Sequence, residues 1–272
     1  MKYMIHEMSW VEVQEALKTT DTIIVPLGSL EEHGPHDPVG SCYILANESA
    51  RVVGAKTGVP VLPTIPFGIS KSFGNFPGTV TVKSETLKEL TRDVCNSLIR
   101  HGFKRIIFFS AHGGGNLPAL IEVAEKLREQ TGTLFAVLHV WGLISQLAPS
   151  ITPAFGVRSG HGGEPVASVM LYLTPDLVDM KKARWAPTVQ PLDGMNSESY
   201  GTHEFKKLKV MIPLYTEEVA PNGVMGDPTK ASKERGEKLF KALTDYLVDF
   251  VEHFRRMKIP EVPRGSVRTA KS

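Results

Sequence analysis

Four short apolar segments decide the fold class: TIIVPLG at residues 22–28, VPVLP at 59–63, RIIFFS at 105–110 and LFAVLHV at 134–140. Each segment is rich in β-branched or other apolar residues, a composition that is typical of buried strands. The apolar runs are continuous rather than alternating, which indicates a parallel sheet that is covered on both faces.

Helical patterns lie between these strands. Apolar residues recur at helical spacing between Ser84 and Gly102, over residues 117–130, and from Asp227 to Phe254. Strands that alternate with helices along the chain predict a layered α/β domain. Residues 185–224 are less regular and are expected to form loops or a short hairpin near the site.

The size of the chain favours one domain. Its 272 residues include 42% hydrophobic and 22% charged residues, which is ordinary for a soluble globular protein. No repeat, low-complexity tract or linker divides the sequence. We therefore expect a single domain over residues 1–260, followed by a polar tail over 261–272.

Charge and hydropathy limit the function classes. The 31 Lys and Arg residues nearly balance the 29 Asp and Glu residues, for a net charge of +2, so a protein that coats nucleic acid or an anionic membrane is excluded. No run approaches the length of a membrane span, and the first ten residues lack an apolar signal region. Two cysteines exclude a disulfide scaffold, and Cys95 is expected to be a small buried hydrophobe. The expected location is the cytoplasm.

Four histidines stand in three glycine-rich segments, which are expected to follow strands. The segments are GSLEEHGPHDPVGSC at 28–42, SAHGGGN at 110–116 and SGHGGE at 159–164. Glu31 and His33 are two residues apart, so an extended backbone points both side chains the same way. With His112 and Glu164 they form a set suited to Zn²⁺, Mn²⁺ or Fe²⁺. From these residues alone, a metal site and hydrogen-bonded turn histidines both remain open.

Five motifs carry a resemblance to a known family. In this order and spacing, PLGSLEEHGPHDP, FGNFPGTVTV, SAHGGGN, SGHGGE and NGVMGDP resemble the creatininase (creatinine amidohydrolase) family, over about residues 20–255. The resemblance implies a three-layer αβα sandwich with a mainly parallel sheet. It also implies one or two divalent metals that activate water, with Zn²⁺ as the metal expected for this chain. Many family members are hexamers, so a homo-oligomer is expected as well.

The resemblance also implies roles for single residues. Glu31 and His33 match the first two metal ligands of the family, and His112 matches the next one. Family members differ in the last carboxylate, and Glu164 occupies the position that some of them use. His161 matches a histidine that moves protons during catalysis.

Two positions depart from the family pattern. Ser41 and Cys42 replace the usual Thr-Asp pair, whose aspartate bridges two metals. Either the Cys42 thiolate binds the metal, which favours Zn²⁺, or one metal is held by the other four residues. The segment HGGGN also contains an extra glycine, which is expected to change a loop that faces the substrate. No site role is assigned to Phe73, Trp141 or Tyr200.

The expected function is therefore a metal-dependent hydrolase that acts on the carbonyl of a small, often cyclic, amide. One alternative is a ring-opening hydrolase of a cyclic diketone from inositol breakdown, such as a 3-dehydro-scyllo-inosose. Another is a non-catalytic scaffold that has lost its second metal. A serine hydrolase is rejected because no G-x-S-x-G motif occurs, and a Rossmann nucleotide site because the first turn lacks G-x-G-x-x-G. A small-molecule substrate is the only partner expected besides copies of the chain, with no nucleic acid and no membrane.

Overall fold

The main sheet contains three parallel strands in the order β1-β2-β3. The computed structural model describes residues 2–151 and 159–263. The strands are β1 Thr22–Leu27, β2 Arg105–Ser110 and β3 Leu134–His139. Leu27 pairs with Ser110, and Ser110 pairs with His139, so the three strands end level with one another. Three of the four predicted strands are thereby confirmed.

The fourth predicted strand, at 59–63, is wrong as a strand. Val61 forms only isolated bridges to Met4 and Ile24. Pro60 and Pro63 lie within the segment, and proline has no N–H to donate to a ladder, so pairing stops after single residues. The segment still lies beside β1, because the amide of Ile24 donates to the carbonyl of Pro60.

Helices cover both faces of this sheet. They are α1 Trp10–Leu17, α2 Ser41–Thr57, α3 Ser84–Arg100, α4 Asn116–Thr131, α5 Val140–Ile151, α6 Val166–Leu173, α7 Thr216–Val219 and α8 Lys233–Phe254. The predicted start of the last helix, at Asp227, is wrong. The Asp227 carboxylate instead accepts from the amide of Thr229 in a turn, and Ser232 caps the helix by accepting from the amide of Arg235.

Alternate residues of the strands enter two separate cores. Ile24 of β1 and Ile107 of β2 pack against helices α2, α5, α6 and α8. Ile23 and Ile106, their neighbours along the same strands, pack on the opposite face against α3 and α4. The result is a helix layer on each side of the parallel sheet, which confirms the predicted αβα architecture.

A second, antiparallel sheet lies within residues 185–224, where loops or a short hairpin were expected, and its last two strands form that hairpin. Its strands are β4 Asn196–Ser197, β5 Thr202–Phe205 and β6 Leu208–Met211.

Within the described residues, no helix combines the length and hydropathy needed to cross a membrane. Of the predicted tail at 261–272, residues 264–272 lie outside the described residues.

Candidate metal centre

Four side chains from three parts of the chain meet beyond the carboxyl ends of β1 and β2. Glu31 and His33 come from the loop after β1, His112 follows β2, and Cys42 lies in the first turn of α2. In parallel α/β sheets the loops at this edge line the binding crevice, which explains why residues distant in sequence meet here. All four side chains are buried, with Glu31 only 2% exposed.

The imidazole of His33 is oriented by the backbone. Its Nδ1 atom lies 3.1 Å from the carbonyl oxygen of Glu31, to which it donates a hydrogen bond. This bond assigns the proton to Nδ1 and leaves a lone pair on Nε2. The Nε2 atom lies 3.6 Å from Sγ of Cys42 and 3.7 Å from Oε1 of Glu31. Burial lowers the pKa of His33 to about 3, so this ring is neutral at pH 7.

His112 is held in the same manner from the other side. Its Nε2 atom donates to the carbonyl oxygen of Ile69 at 2.9 Å, and its Nδ1 atom lies 2.9 Å from Oε1 of Glu31. Metal-ligating histidines usually donate one ring N–H to a carbonyl, a carboxylate or water, which leaves the other nitrogen for the metal. Burial alone would lower the pKa of His112, but the Glu31 carboxylate raises it overall.

The carboxylate of Glu31 is the centre of the group. Its Oε2 atom accepts a 2.6 Å hydrogen bond from Ser70, whose hydroxyl also lies 2.5 Å from that of Ser29. Its Oε1 atom faces both histidines and the thiol of Cys42, which is 3.3 Å away. Burial opposes ionisation, yet the adjacent imidazoles hold the pKa of Glu31 below its ordinary value. For Cys42, burial and the negative charge of Glu31 both raise the pKa of the thiol.

The donor set suits a transition metal. One carboxylate oxygen, two imidazole nitrogens and one sulfur lie at neighbouring separations of 2.9 to 3.7 Å. Ligands of a tetrahedral zinc ion are separated by about 3.3–3.7 Å, given metal–ligand distances of about 2.0–2.3 Å. Glu31, Cys42 and His112 form one set of mutually close donor atoms, and Glu31 and His33 belong to another. The side chains therefore suit a divalent metal such as Zn²⁺ by their chemistry, and one ion that binds all four donors requires them to move closer together.

Glu164 is not brought into this group. Its Oε1 atom accepts hydrogen bonds from Ser168 at 2.7 Å and from Arg235 at 3.2 Å. Two sets of donor atoms lie within 4.8 Å of one another among the described residues, one of Glu31, Cys42 and His112 and one of Glu31, His33 and His161; Glu164 belongs to neither. Its Oε2 atom is buried and has no hydrogen-bond partner in the part of the chain that the structure describes, so a ligand role for Glu164 stays a prediction.

His161 lies between two rings. It stacks on His33, with ring centroids 4.4 Å apart, and on Phe73 at 4.3 Å. Its Nε2 atom donates to the carbonyl oxygen of Glu32 at 2.6 Å and lies 3.3 Å from the carboxylate of the same residue. Burial pushes the pKa of His161 down, but Glu32 raises it above its ordinary value overall.

A cavity of about 250 Å³ opens onto this group. Phe73, His139, Trp141 and Tyr200 line it together with the predicted site residues, although no site role was expected for any of these four. His139 is the last residue of β3 and thus follows the same rule that identified His112. Tyr200 reaches the cavity because of the way the second sheet packs. The periodicity of apolar residues in the sequence does not predict that packing.

Three curated relatives match most of the chain. A 3-dehydro-scyllo-inosose hydrolase from Thermotoga maritima is 29% identical, over 96% of this chain and 88% of its own length. A creatinine amidohydrolase from Pseudomonas putida is 25% identical, over 90% and 94%. A mycofactocin precursor peptide peptidase from Mycobacterium tuberculosis is 28% identical, over 84% and 83%.

Solved structures share the fold. A crystal structure of creatinine amidohydrolase (creatininase) superposes with a TM-score of 0.78 at 24% identity, covering 94% of this chain and 99% of that one. Two further structures, a Zn-Zn type of an E122Q mutant creatininase and a manganese creatininase, each give a TM-score of 0.75, at 24% and 23% identity, over 93% of this chain and 99% of theirs.

The model of the creatinine amidohydrolase family, creatininase, matches residues 6–251. This range contains both sheets, all four members of the buried donor group, His161 and Glu164. The three relatives act on different substrates, but each is named for a hydrolytic reaction. The chain therefore belongs to the creatininase family and is a hydrolase.

Proposed function

We propose that Glu31, His33, His112 and Cys42 hold a divalent metal, Zn²⁺ in the first place, in a hydrolase that attacks the carbonyl of a small substrate. The observation that carries this proposal is the orientation of the two imidazoles. Each donates one N–H to a backbone carbonyl and points its other nitrogen towards Glu31. A sulfur ligand favours Zn²⁺ over Mn²⁺ or Mg²⁺, because soft donors select against hard cations. Fe²⁺ and Mn²⁺ are the other candidates.

A metal bound there supplies Lewis acidity, which polarises a carbonyl and lowers the pKa of water towards neutrality. The protein residues supply orientation and proton transfer. Glu31 is fixed through its second oxygen by Ser70, so its first oxygen cannot rotate away from the site. Cys42 must release its proton when it binds, and metal binding should therefore release protons to solvent.

His161 is the proposed proton carrier. Because its Nε2 atom donates to Glu32, its Nδ1 atom is the one left to take up and return a proton. The Glu32 carboxylate, 3.3 Å from Nε2, stabilises the imidazolium that forms when Nδ1 is protonated. Stacking between His33 and Phe73 keeps the ring beside the cavity. Protonated His161 can then donate a proton to the leaving group.

Glu164 is proposed as a further ligand through its Oε2 atom. Ser168 and Arg235 occupy the other oxygen, and a buried carboxylate oxygen without a partner is costly. The next two residues, Pro165 and Val166, line the cavity, so Glu164 is adjacent in sequence to its wall. In this arrangement Glu164 would bind a second ion or complete the shell of the first.

The substrate is proposed to be a small molecule with an amide-type carbonyl, as in the creatinine amidohydrolase relative. The cavity of about 250 Å³ has room for a single ring with its substituents. The second candidate is the ring-opening hydrolysis of a cyclic diketone. The relative named for 3-dehydro-scyllo-inosose favours it, since that match covers 96% of this chain.

Metal-reconstituted enzyme offered each substrate class tests the function. The panel contains creatinine, other lactams, lactones and 3-dehydro-scyllo-inosose, and product formation is followed by mass spectrometry. We expect hydrolysis of at least one class by zinc-loaded protein and none by the Glu31→Gln variant. Protein that binds no metal and hydrolyses nothing in the panel would instead support the scaffold alternative.

We also propose that the protein works as a homo-oligomer in a reducing compartment such as the cytoplasm. The β5–β6 hairpin exposes large apolar side chains, among them Met211 at 85% and Leu208 at 71% exposure. Apolar side chains on one hairpin are more often covered by a partner than left in water. The Cys42 and Cys95 thiols are free, and a metal-binding thiol requires conditions in which it stays reduced.

A further inference from the structure

His139 occupies a position in the sheet that faces the cavity. It ends β3 and pairs in register with Ser110, the last residue of β2, two residues before His112. Its side chain lines the same cavity as Glu31 and His161. It is only partly buried, so the ring is accessible from the cavity rather than sealed in the core.

The ring of His139 is fixed by packing. A Cβ atom added to Gly113 would come within 2.7 Å of its Cε1 atom, and one added to Gly142 within 2.5 Å of its Nδ1 atom. Both distances are shorter than real contacts, so any residue larger than glycine at either position would displace the imidazole. The slot between the two glycines therefore sets the orientation of the ring. Gly113 belongs to the HGGGN segment, which gives that run of glycines a structural reason.

The nitrogens of His139 have no protein partner. Within residues 2–151 and 159–263, neither ring nitrogen makes a hydrogen bond, whereas His33, His112 and His161 all do. A polar ring held by packing and left without partners at a cavity wall is available to a ligand. This separates His139 from the metal-binding histidines, whose second nitrogens are occupied by backbone carbonyls.

The charge state of His139 limits what it can recognise. Burial lowers its pKa, and the nearby His112 lowers it further, so the ring is neutral at pH 7. A neutral imidazole offers one N–H donor and one lone-pair acceptor. A hydroxyl group offers the same pair of functions, so it can be bound by either ring nitrogen in either tautomer.

The other walls agree with an uncharged, hydroxylated ligand. Phe73 and Tyr200 meet edge to face, with ring centroids 5.1 Å apart, and form an aromatic side of the cavity. Tyr200 adds a phenol whose pKa burial raises to about 12, so it stays a hydrogen-bond donor. Among the described residues that line this cavity there is no lysine or arginine to neutralise an anionic substrate.

We propose that His139 is a substrate-binding residue that hydrogen-bonds a hydroxyl group of an uncharged, polyhydroxylated cyclic ketone, whose carbonyl is presented to Glu31, His33 and His112. The proposal rests on the proposed hydrolase function and selects the second of its two substrate candidates, the cyclic ketone, over the amide. A specificity role follows: His139 distinguishes hydroxylated rings from plain ones.

Calorimetric binding of two matched probes to zinc-loaded protein tests this role. The first probe is pentahydroxycyclohexanone (scyllo-inosose), and the second is cyclohexanone, which has the same ring and carbonyl without hydroxyls. Variants are His139→Phe, which keeps a planar ring, and His139→Gln, which keeps a hydrogen-bonding group. Zinc content and far-ultraviolet circular dichroism of each variant are checked against the parent.

We expect the parent to bind scyllo-inosose at least tenfold more tightly than cyclohexanone. His139→Phe should weaken scyllo-inosose binding by about tenfold, the effect of one lost hydrogen bond, with cyclohexanone unchanged. His139→Gln should recover part of the loss. Equal binding of scyllo-inosose by the parent and His139→Phe would overturn the proposal, as would a parent that does not prefer the hydroxylated probe.

A second measurement needs no substitution. In zinc-loaded protein labelled with ¹⁵N-histidine, scyllo-inosose should shift the ring nitrogens of His139, and cyclohexanone should not. Identical spectra with both probes would contradict the assignment even if a variant misfolds. Hydrolysis of lactams by a parent that fails these tests would leave the hydrolase function standing and remove only the role of His139. A parent that hydrolyses nothing and binds neither probe would remove both.

Discussion

The sulfur of Cys42 lies 3.3 Å from Oε1 of Glu31, the same oxygen that faces the imidazoles of His33 and His112. Family relatives are expected to place a bridging carboxylate at this position, and a single sulfur has only one donor atom to offer. Cys42 stands in the first turn of α2, directly beside this group. We therefore propose that the centre holds one ion well and that the second position is weakened.

Replacing Cys42 by aspartate should restore the second position. We expect the parent to bind one zinc ion per chain and Cys42→Asp to bind two, because a carboxylate can bridge two ions through its two oxygens. Inductively coupled plasma mass spectrometry after dialysis measures the ratio. Cys95→Ser is the matched control, since Cys95 is equally buried but lies in α3, and it should leave the ratio at one. An unchanged ratio in Cys42→Asp would show that the position is not equivalent to the bridging aspartate.

Ser70 should contribute to metal affinity without touching the metal. Its hydroxyl fixes Oε2 of Glu31 at 2.6 Å, and loss of such a support typically costs 10–100-fold in affinity. We therefore expect Ser70→Ala to weaken zinc binding by about that factor in a competition titration with a chelator. Ser72→Ala, two residues away in the same segment, should bind zinc as tightly as the parent. If both variants match the parent, the Ser70 hydrogen bond does not support the centre.

Asp37 should make stability depend on pH. Burial raises the pKa of its carboxyl to about 8, opposed by His161 and assisted by Glu164. Among the described residues neither of its oxygens has a hydrogen-bond partner, and Nε2 of His36 lies 3.6 Å from Oδ2. Between about pH 4 and pH 8 the folded protein keeps this proton and the unfolded chain releases it, so stability falls as pH rises. Asp37→Asn removes the ionisable group and should flatten this decline.

Thermal unfolding of the same metal form from pH 4.5 to 8 checks the effect. The Tm of Asp37→Asn minus that of the parent should grow steadily with pH across this range. Asp249→Asn, on the exposed side of α8, is the control and should show a constant difference. A constant difference for Asp37→Asn as well would mean that Asp37 ionises freely in the folded protein.

The exposed hairpin should mediate assembly. We expect light scattering to give a mass that is a multiple of the 29.9 kDa of one chain, with six copies as the expected number. Met211→Lys and Leu208→Lys should each lower that mass, since a charge on this face opposes burial. Leu90→Lys, at an exposed apolar position on α3, should not. A parent mass near 29.9 kDa would contradict the proposal of an oligomer.

Much of the fold follows from local sequence patterns. Continuous apolar runs predicted β1, β2 and β3, and the helical spacing before Gly132 predicted α4, which ends with that glycine in the left-handed conformation. The segment at 59–63 has the same composition, but its prolines break the ladder. The last helix starts at Lys233 because Ser232 caps it. Both Asp227-Pro228 and Ser232 are possible helix starts in the sequence, and residue preferences alone do not decide between them.

The sequence predicted the site residues that follow the ends of strands. It did not predict the positions of site residues that depend on how helices pack against one another. Glu31, His33 and His112 follow strands directly, and the structure brings them together with Cys42. Glu164 follows no strand of the main sheet, and its contacts with Ser168 and Arg235 depend on how α6 and α8 pack. The glycine at position 114 has a local reason, since a Cβ there would lie 2.5 Å from Nε2 of His112.

Zinc K-edge X-ray absorption on the metal-loaded parent tests the central claim, that Glu31, His33, His112 and Cys42 bind one metal ion. The predicted shell contains one sulfur at about 2.3 Å and nitrogen or oxygen atoms at about 2.0–2.2 Å, including two imidazoles. In Cys42→Ser the sulfur contribution should disappear and the imidazole signals should remain. A parent spectrum without imidazole scattering, or without sulfur at that distance, would contradict the assigned centre.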